Sequence, residues 1–168
     1  QAGNANPLLE DWDLHLGMPP FDRIEDAHFE PAIEQGMAAQ LEEVSRIASN
    51  TEPPTFENTI VELERSGQLL DSVTRVFRNL VSTDTNETLQ AVQRKVSPRL
   101  AGHQDAILLN PELFARVKAV YEQRGTLGLD READRLVEKT YKAFVRAGAE
   151  LTDEQQTRLR EINARLAS

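Results

Sequence analysis

Cysteine is absent from the 168 residues, which excludes disulfide scaffolds, Cys-ligated zinc and thiol nucleophiles but leaves the redox compartment open. Histidine is scarce. The three present, His15, His28 and His103, lack a second His at four-residue spacing, so the helical zinc motif His-Glu-x-x-His is missing. Neither Gly-x-Ser-x-Gly nor a glycine-rich phosphate cradle occurs, so a serine-hydrolase elbow and a nucleotide loop have no local support. No apolar run approaches the ~18 residues of a membrane span, and no apolar export-signal core opens the chain. Basic residues are outnumbered, 19 Lys plus Arg against 28 Asp plus Glu for a formal charge of −9. Such a surface repels phosphate backbones, and no nucleic-acid partner is expected.

What the chain does hold is helical periodicity. A polypeptide of this length can bury about 70% of its unfolded surface. Residues 1–26 lack a helical repeat and carry Pro7, Pro19 and Pro20 among Leu8, Leu9, Trp12, Leu14, Leu16 and Phe21. Proline fixes φ and pushes the residue before it toward extended conformations, so this segment is expected to be an extended strap. From Ala27 to Ser49, Phe29, Ile33, Met37, Leu41, Val44 and Ala48 recur at three- and four-residue steps and define helix one. Asn50 to Pro54 ends it, and Thr55 is placed to cap helix two. The stripe Phe56, Ile60, Leu63, Gly67, Leu70, Val73, Phe77, Leu80 follows. Gly67 within it costs about 1 kcal/mol against Ala, which implies either a close helix neighbour or a break near Ser66.

Asn86 can cap helix three, whose face carries Leu89, Val92, Val96, Leu100, His103 and Ile107; Pro98 inside it predicts a kink or short interruption. Asn110-Pro111 opens helix four, with Leu113, Phe114, Val117 and Tyr121, and Gly125 to Leu129 ends it. Asp130 caps helix five, Gly148 closes it, and Thr152 with Gln155 forms a capping box for a last helix through Leu159, Ile162 and Leu166. The fold class is therefore all-α: a multi-helix bundle of about six antiparallel helices over residues 27–168, preceded by the strap. No fixed repeat recurs.

Candidate chemistry is thin. His28 stands three residues after Glu25, half of the Glu-x-x-His pattern of carboxylate-bridged di-iron bundles, but no second half exists. Its reading is a first-turn residue, at the surface or bonded to the strap. His103 lies on an apolar helix face, where a hydrogen-bonded core histidine is the default, and His15 in the strap suggests only packing or solvent contact. Glu42-Glu43 and Asp153-Glu154 read as solvated helix faces, the latter suited to a helix N-terminus. Paired-carboxylate catalysis would require a buried cleft that spacing does not define. No catalytic, cofactor-binding or metal-ligating residue is expected within the chain.

Seven segments, in order, carry a resemblance. They are Asn6-Pro7-Leu8-Leu9, Pro19-Pro20-Phe21-Asp22-Arg23-Ile24, His28-Phe29-Glu30-Pro31-Ala32-Ile33, Pro54-Thr55-Phe56-Glu57-Asn58-Thr59-Ile60 running on to Leu63-Glu64-Arg65-Ser66-Gly67, Asp84-Thr85-Asn86, Asn110-Pro111-Glu112-Leu113-Phe114, and Phe144-Val145-Arg146-Ala147-Gly148-Ala149. Together they resemble the N-terminal part of bacterial peptidyl-dipeptidases, zinc metallopeptidases related to thimet oligopeptidase. The peptidyl-dipeptidase branch looks nearer than the endopeptidase branch. The resemblance implies a large two-lobed helical enzyme with a deep channel that admits only short peptides. Zinc and the substrate-gripping residues would lie in a C-terminal catalytic half beyond residue 168, so the implied partners are that half of the same polypeptide and an oligopeptide substrate.

Further expectations accompany this reading. Gln1 at the start, where Met would stand, and Ser168 directly after a helical pattern suggest processed or cut ends; the compartment stays open between cytoplasm and periplasm, with the start favouring the periplasm. Leu8 to Phe21 is expected to dock partly on the absent half, and bare apolar surface could drive dimerisation. The alternative function is a standalone acidic helical module that binds a partner protein through an apolar groove.

Overall fold

Each stretch of apolar periodicity forms helix in the computed structural model, which describes residues 6–10, 12, 18–83 and 85–166. His15, Leu14 and Leu16 lie outside the described residues. Among those described there is no strand, and the fold is all-α. The helices are α1 Phe29–Ala48, α2 Glu62–Arg65, α3 Gln68–Thr83, α4 Glu87–Leu108, α5 Pro111–Gln123, α6 Arg131–Ala147 and α7 Asp153–Leu166. Short 3-10 turns occupy Pro7–Leu9, Asp26–His28 and Arg124–Thr126, and a π-helical turn, Phe56–Val61, leads into α2.

Caps form where the side chains permit them. The Asn86, Asn110 and Asp130 side chains accept from the Leu89, Leu113 and Ala133 amides at 2.8, 2.9 and 2.8 Å, each satisfying a first-turn donor that has no intrahelical partner. Thr152 and Gln155 close the expected capping box at α7, at 3.1 and 3.4 Å. Gly148, at φ +97°, ends α6 in the left-handed region where a Cβ would clash.

The stripe expected as helix two is divided, the second of the two outcomes Gly67 allowed. Ser66 is extended at ψ 149° and Gly67 takes φ +76°, so α2 stops at Arg65 and α3 starts afresh at Gln68. Pro98 does not interrupt its helix: α4 runs through it for 22 residues.

The chain divides into two compact units. Unit one comprises residues 1–40 and 67–97, and unit two residues 41–66 and 98–168. In unit one Leu8, Phe29, Ile33, Val73, Phe77, Leu89 and Val96 are buried, each contributing about 1.5–3 kcal/mol by leaving water. The Phe29 and Phe77 rings meet at 5.2 Å and 50°. Gly36 permits close contact here, since a Cβ on it would lie 2.9 Å from the Leu70 Cα. Of the expected strap, Leu8 is buried, whereas Met18 and Phe21 are exposed.

Unit two is built on Val44, Ile47, Ile60, Ile107, Leu113, Val117, Val120, Val137 and Phe144, with α5 packed on both α6 and the π-helical turn.

Candidate functional site

His28 Nδ1 accepts the Glu25 amide at 3.0 Å, and the His28 carbonyl accepts from the Asn6 side chain at 2.8 Å. The imidazole thus caps the turn that leads into α1, and the residue is bonded to the strap as one of the expected readings had it. His103 is buried on α4, and burial pushes its pKa below the ordinary 6.5, which keeps the ring neutral near pH 7. Glu42 is exposed, as are Asp153 and Glu154 in the first turn of α7. Among the described residues no three His, Asp or Glu side chains are grouped to hold a metal ion.

The most developed polar arrangement surrounds a residue that the sequence reading did not single out. Arg116 on α5 is 7% exposed. It has no carboxylate partner among the described residues. Its guanidinium instead donates to the Asn50 and Glu52 carbonyls at 2.7 and 2.9 Å, to Asn58 Oδ1 at 2.9 Å and to Thr59 Oγ1 at 3.3 Å. Arginine is rarely buried without a pair, and here a fan of oxygen dipoles stands in for the counter-charge. Asn58 does double duty: its Oδ1 also accepts the Thr55 amide at 2.8 Å while its own amide donates to Thr55 Oγ1 at 3.0 Å. That capping box starts the π-helical turn, so Arg116 fastens the connection between α1 and α2 at both ends.

Beside this clamp lies an open cavity of about 390 Å³, lined by Glu43, Arg46, Asn50, Asn58, Glu62 and Arg65 among others. Arg65 pairs with Glu62 at 3.5 Å. Charged groups of both signs surround it, and among the described residues no three His, Asp or Glu side chains are grouped there to hold a metal ion. The concavity can hold polar groups or water.

A second feature of unit two is an aromatic stack. The Tyr121 and Tyr141 rings lie 3.9 Å apart at 11°, Phe114 follows at 5.9 Å from Tyr141 and 6.0 Å from Phe144, and the Arg124 guanidinium sits 3.9 Å from the Tyr121 centroid. The Tyr141 hydroxyl reaches Glu150 at 3.2 Å. With Phe144 buried and the other rings half-buried, the stack joins α5 to α6 as part of the core.

No family model matches the chain. Over 165 residues it is 42% identical to dipeptidyl carboxypeptidase of Salmonella typhimurium, covering 98% of this chain and 24% of that protein. The Escherichia coli dipeptidyl carboxypeptidase is also 42% identical, over 163 residues and 24% of its length. Oligopeptidase A of Escherichia coli is 24% identical over 97% of the chain and 23% of its own length. The chain is therefore similar to the N-terminal region of bacterial dipeptidyl carboxypeptidases, as the seven segments suggested, and less so to oligopeptidase A. It spans about a quarter of the length of the curated relatives it matches.

Proposed function

We propose that this chain is the non-catalytic N-terminal helical region of a peptidase that releases dipeptides from the C-terminal end of oligopeptides. Its role in that reading is to wall the substrate channel and restrict entry to short peptides. The observation that carries the proposal is the 42% identity to two dipeptidyl carboxypeptidases along nearly the whole chain, aligned with their N-terminal part.

The physical case for a wall rests on what the helices are made of. An exposed hydrolytic centre would attack any accessible loop, whereas rigid helices around it admit only segments narrow enough to pass. Capped helices packed on cores such as that around Val117 and Phe144 supply such rigidity.

The zinc implied by the resemblance does not fit the described residues. His28 Nδ1 is committed to the Glu25 amide, His103 is buried, and no third ligand stands beside either. No step of peptide hydrolysis is derived through zinc from this chain; the proposal places the metal and its ligands in a C-terminal half.

The test begins with the native reading frame, which should continue beyond residue 168 into a His-Glu-x-x-His motif. Its full product should bind zinc and release dipeptides from a blocked tetrapeptide, while the chain 1–168 alone should do neither. A frame that ends at residue 168, or one tightly bound zinc per isolated chain with peptide hydrolysis, overturns the proposal.

A further inference from the structure

The outward face of α6 is basic, in a chain where acidic residues outnumber basic ones 28 to 19. At about 100° per residue, Arg131, Arg135, Lys139, Lys142 and Arg146 fall within an arc of about 80°, and no other residue of Arg131–Ala147 falls inside it. All five are exposed, whereas the buried Val137 and Phe144 lie on the opposite side of the helix. Five of the 19 Lys and Arg therefore share one line that faces solvent.

The carboxylates of the same helix do not cancel this stripe. Glu138 borders one side and is engaged by Lys142 at 2.6 Å, Glu132 borders the other, and Asp134 lies farther round, 3.7 Å from Arg124. Five cations thus stand against two bordering carboxylates. Arg131, Arg135, Lys139 and Arg146 form no salt bridge among the described residues. The local field shows in Glu138, whose carboxyl is held below its ordinary value by the hydrogen bond and charge of Lys142 and further by Arg124 and Arg135. A carboxylate is the group that this face stabilises.

Size and spacing narrow the occupant. From Arg131 to Arg146 the stripe runs about 22 Å, and its charged groups recur about every 4.5–6 Å along the axis. An extended peptide rises about 3.3 Å per residue, so about seven residues span the stripe and alternate side chains recur about every 6.6 Å. Five long charged side chains do not suit a permanently buried seam, because charged residues are depleted from interface cores and each would need a partner there. They suit a transient, salt-sensitive contact. No apolar side chain stands within the arc to enter a membrane, and a long polyanion would meet the chain's excess of carboxylates as well as the stripe.

We infer that the α6 face of Arg131, Arg135, Lys139, Lys142 and Arg146 is a capture site for extended oligopeptides rich in Asp and Glu, which makes acidic peptides a favoured substrate class. This rests on the reading given under Proposed function and adds to it a surface on which substrate is first held. Carboxylates at alternate peptide positions pair with successive basic groups, and the contact stays open to water, so it forms and releases quickly.

The experiment uses the full product of the native reading frame, treated with a chelator so that the probe is not cleaved, and follows the anisotropy of a fluorescein-labelled heptapeptide of alternating Glu and Ser. Binding should weaken about tenfold between about 20 and about 200 mM salt, and about tenfold in Arg135→Glu with Lys139→Glu. Both positions are exposed, so the variant should keep the wild-type melting midpoint. The same peptide with Lys in place of Glu should not bind. Equal affinity of variant and wild type for the acidic peptide, or equal binding of the Lys peptide, would overturn the inference. So would an Arg135-dependent preference for a DNA oligonucleotide or for phosphatidylglycerol vesicles over the acidic peptide. With metal restored, the ratio of kcat/KM for the Glu peptide to that for its Gln counterpart should fall in the variant; an unchanged ratio refutes the substrate role. If the full product releases dipeptides while acidic peptides bind independently of Arg135 and Lys139, the capture site alone fails. A product that releases none brings down the functional reading, and the substrate assignment with it.

Discussion

Replacing Arg116 by methionine tests whether one guanidinium holds the connection between α1 and α2. Three of its hydrogen bonds, at 2.7, 2.9 and 2.9 Å, are well formed, and the fourth, to Thr59 at 3.3 Å, is long. A hydrogen bond involving a charged group contributes about 1.5–3 kcal/mol, so the three short ones amount to about 4.5 kcal/mol at the lower end of that range. Two effects reduce the loss. Glu52 is exposed, so water can replace the donor to its carbonyl, and methionine removes the desolvation cost of a buried cation whose Nε has no acceptor. The expected net destabilisation is about 3 kcal/mol, or a fall of roughly 6–12 °C in the midpoint of a domain this size.

The sequence supplies a probe for each unit. Trp12 is the only tryptophan and belongs to unit one, whereas the two tyrosines, Tyr121 and Tyr141, belong to unit two with Arg116. Arg116→Met should shift the transition followed by tyrosine near-ultraviolet dichroism, and hydrogen exchange should accelerate most in residues 49–61. Arg116→Lys retains the charge but cannot span the same acceptors with a single ammonium, so it should fall between wild type and the methionine variant. A methionine variant within about 0.5 kcal/mol of wild type, the range of an ordinary surface change, would refute the clamp. So would faster exchange spread evenly along the chain.

Two glycine substitutions should act with opposite signs. Gly36→Ala puts a Cβ 2.9 Å from the Leu70 backbone and should cost about 1–3 kcal/mol by overpacking, whereas Gly102→Ala, with nothing within 4 Å on α4, should gain about 0.5–1 kcal/mol of helix propensity; urea titrations of both compare them directly. His103 has its folded pKa lowered from 6.5 by burial, so below that pH the unfolded chain takes up a proton that the folded chain resists, and stability falls as pH drops. His103→Leu should flatten that acid limb between about pH 7 and 5, and parallel stability profiles for variant and wild type would show that burial does not hold the ring neutral. Tyr121→Ala removes the contacts with Tyr141 and Arg124 and should cost about 2 kcal/mol. Tyr141→Phe keeps the stack, loses only an exposed bond to Glu150, and should cost under about 0.5 kcal/mol by thermal melting.

The helices and their caps were legible because the signals are local. Asn86, Asn110, Asp130 and Thr152 each place a side-chain oxygen within one turn of the amide it serves, a geometry that depends on little beyond the next few residues. The division at Gly67 was only half legible. Helical spacing continues across Ser66 in the apolar stripe, so periodicity alone favours one long helix, and the left-handed backbone at Gly67 becomes visible only in three dimensions. Division into two units was likewise hidden, since α1 and α4 each supply residues to both.

Arg116 and α7 show the same limit from opposite directions. Leu113, Arg116, Val117 and Val120 are the buried residues of α5 and follow three-, one- and three-residue steps, so a charged residue stood in the apolar face where the pattern called for a hydrophobe. That irregularity was the available signal, but its acceptors at Asn50, Glu52, Asn58 and Thr59 lie 57 to 66 residues away, beyond the reach of any local rule. In α7 the pattern is regular and the burial is missing. Periodicity marks the side of a helix from which water should be removed, and it does so whatever element removes it. The exposed Ile162 and Leu166 of α7 thus show that a regular pattern does not by itself tell how much of a face is covered, just as the buried guanidinium of Arg116 is explained only by a loop nearly sixty residues upstream.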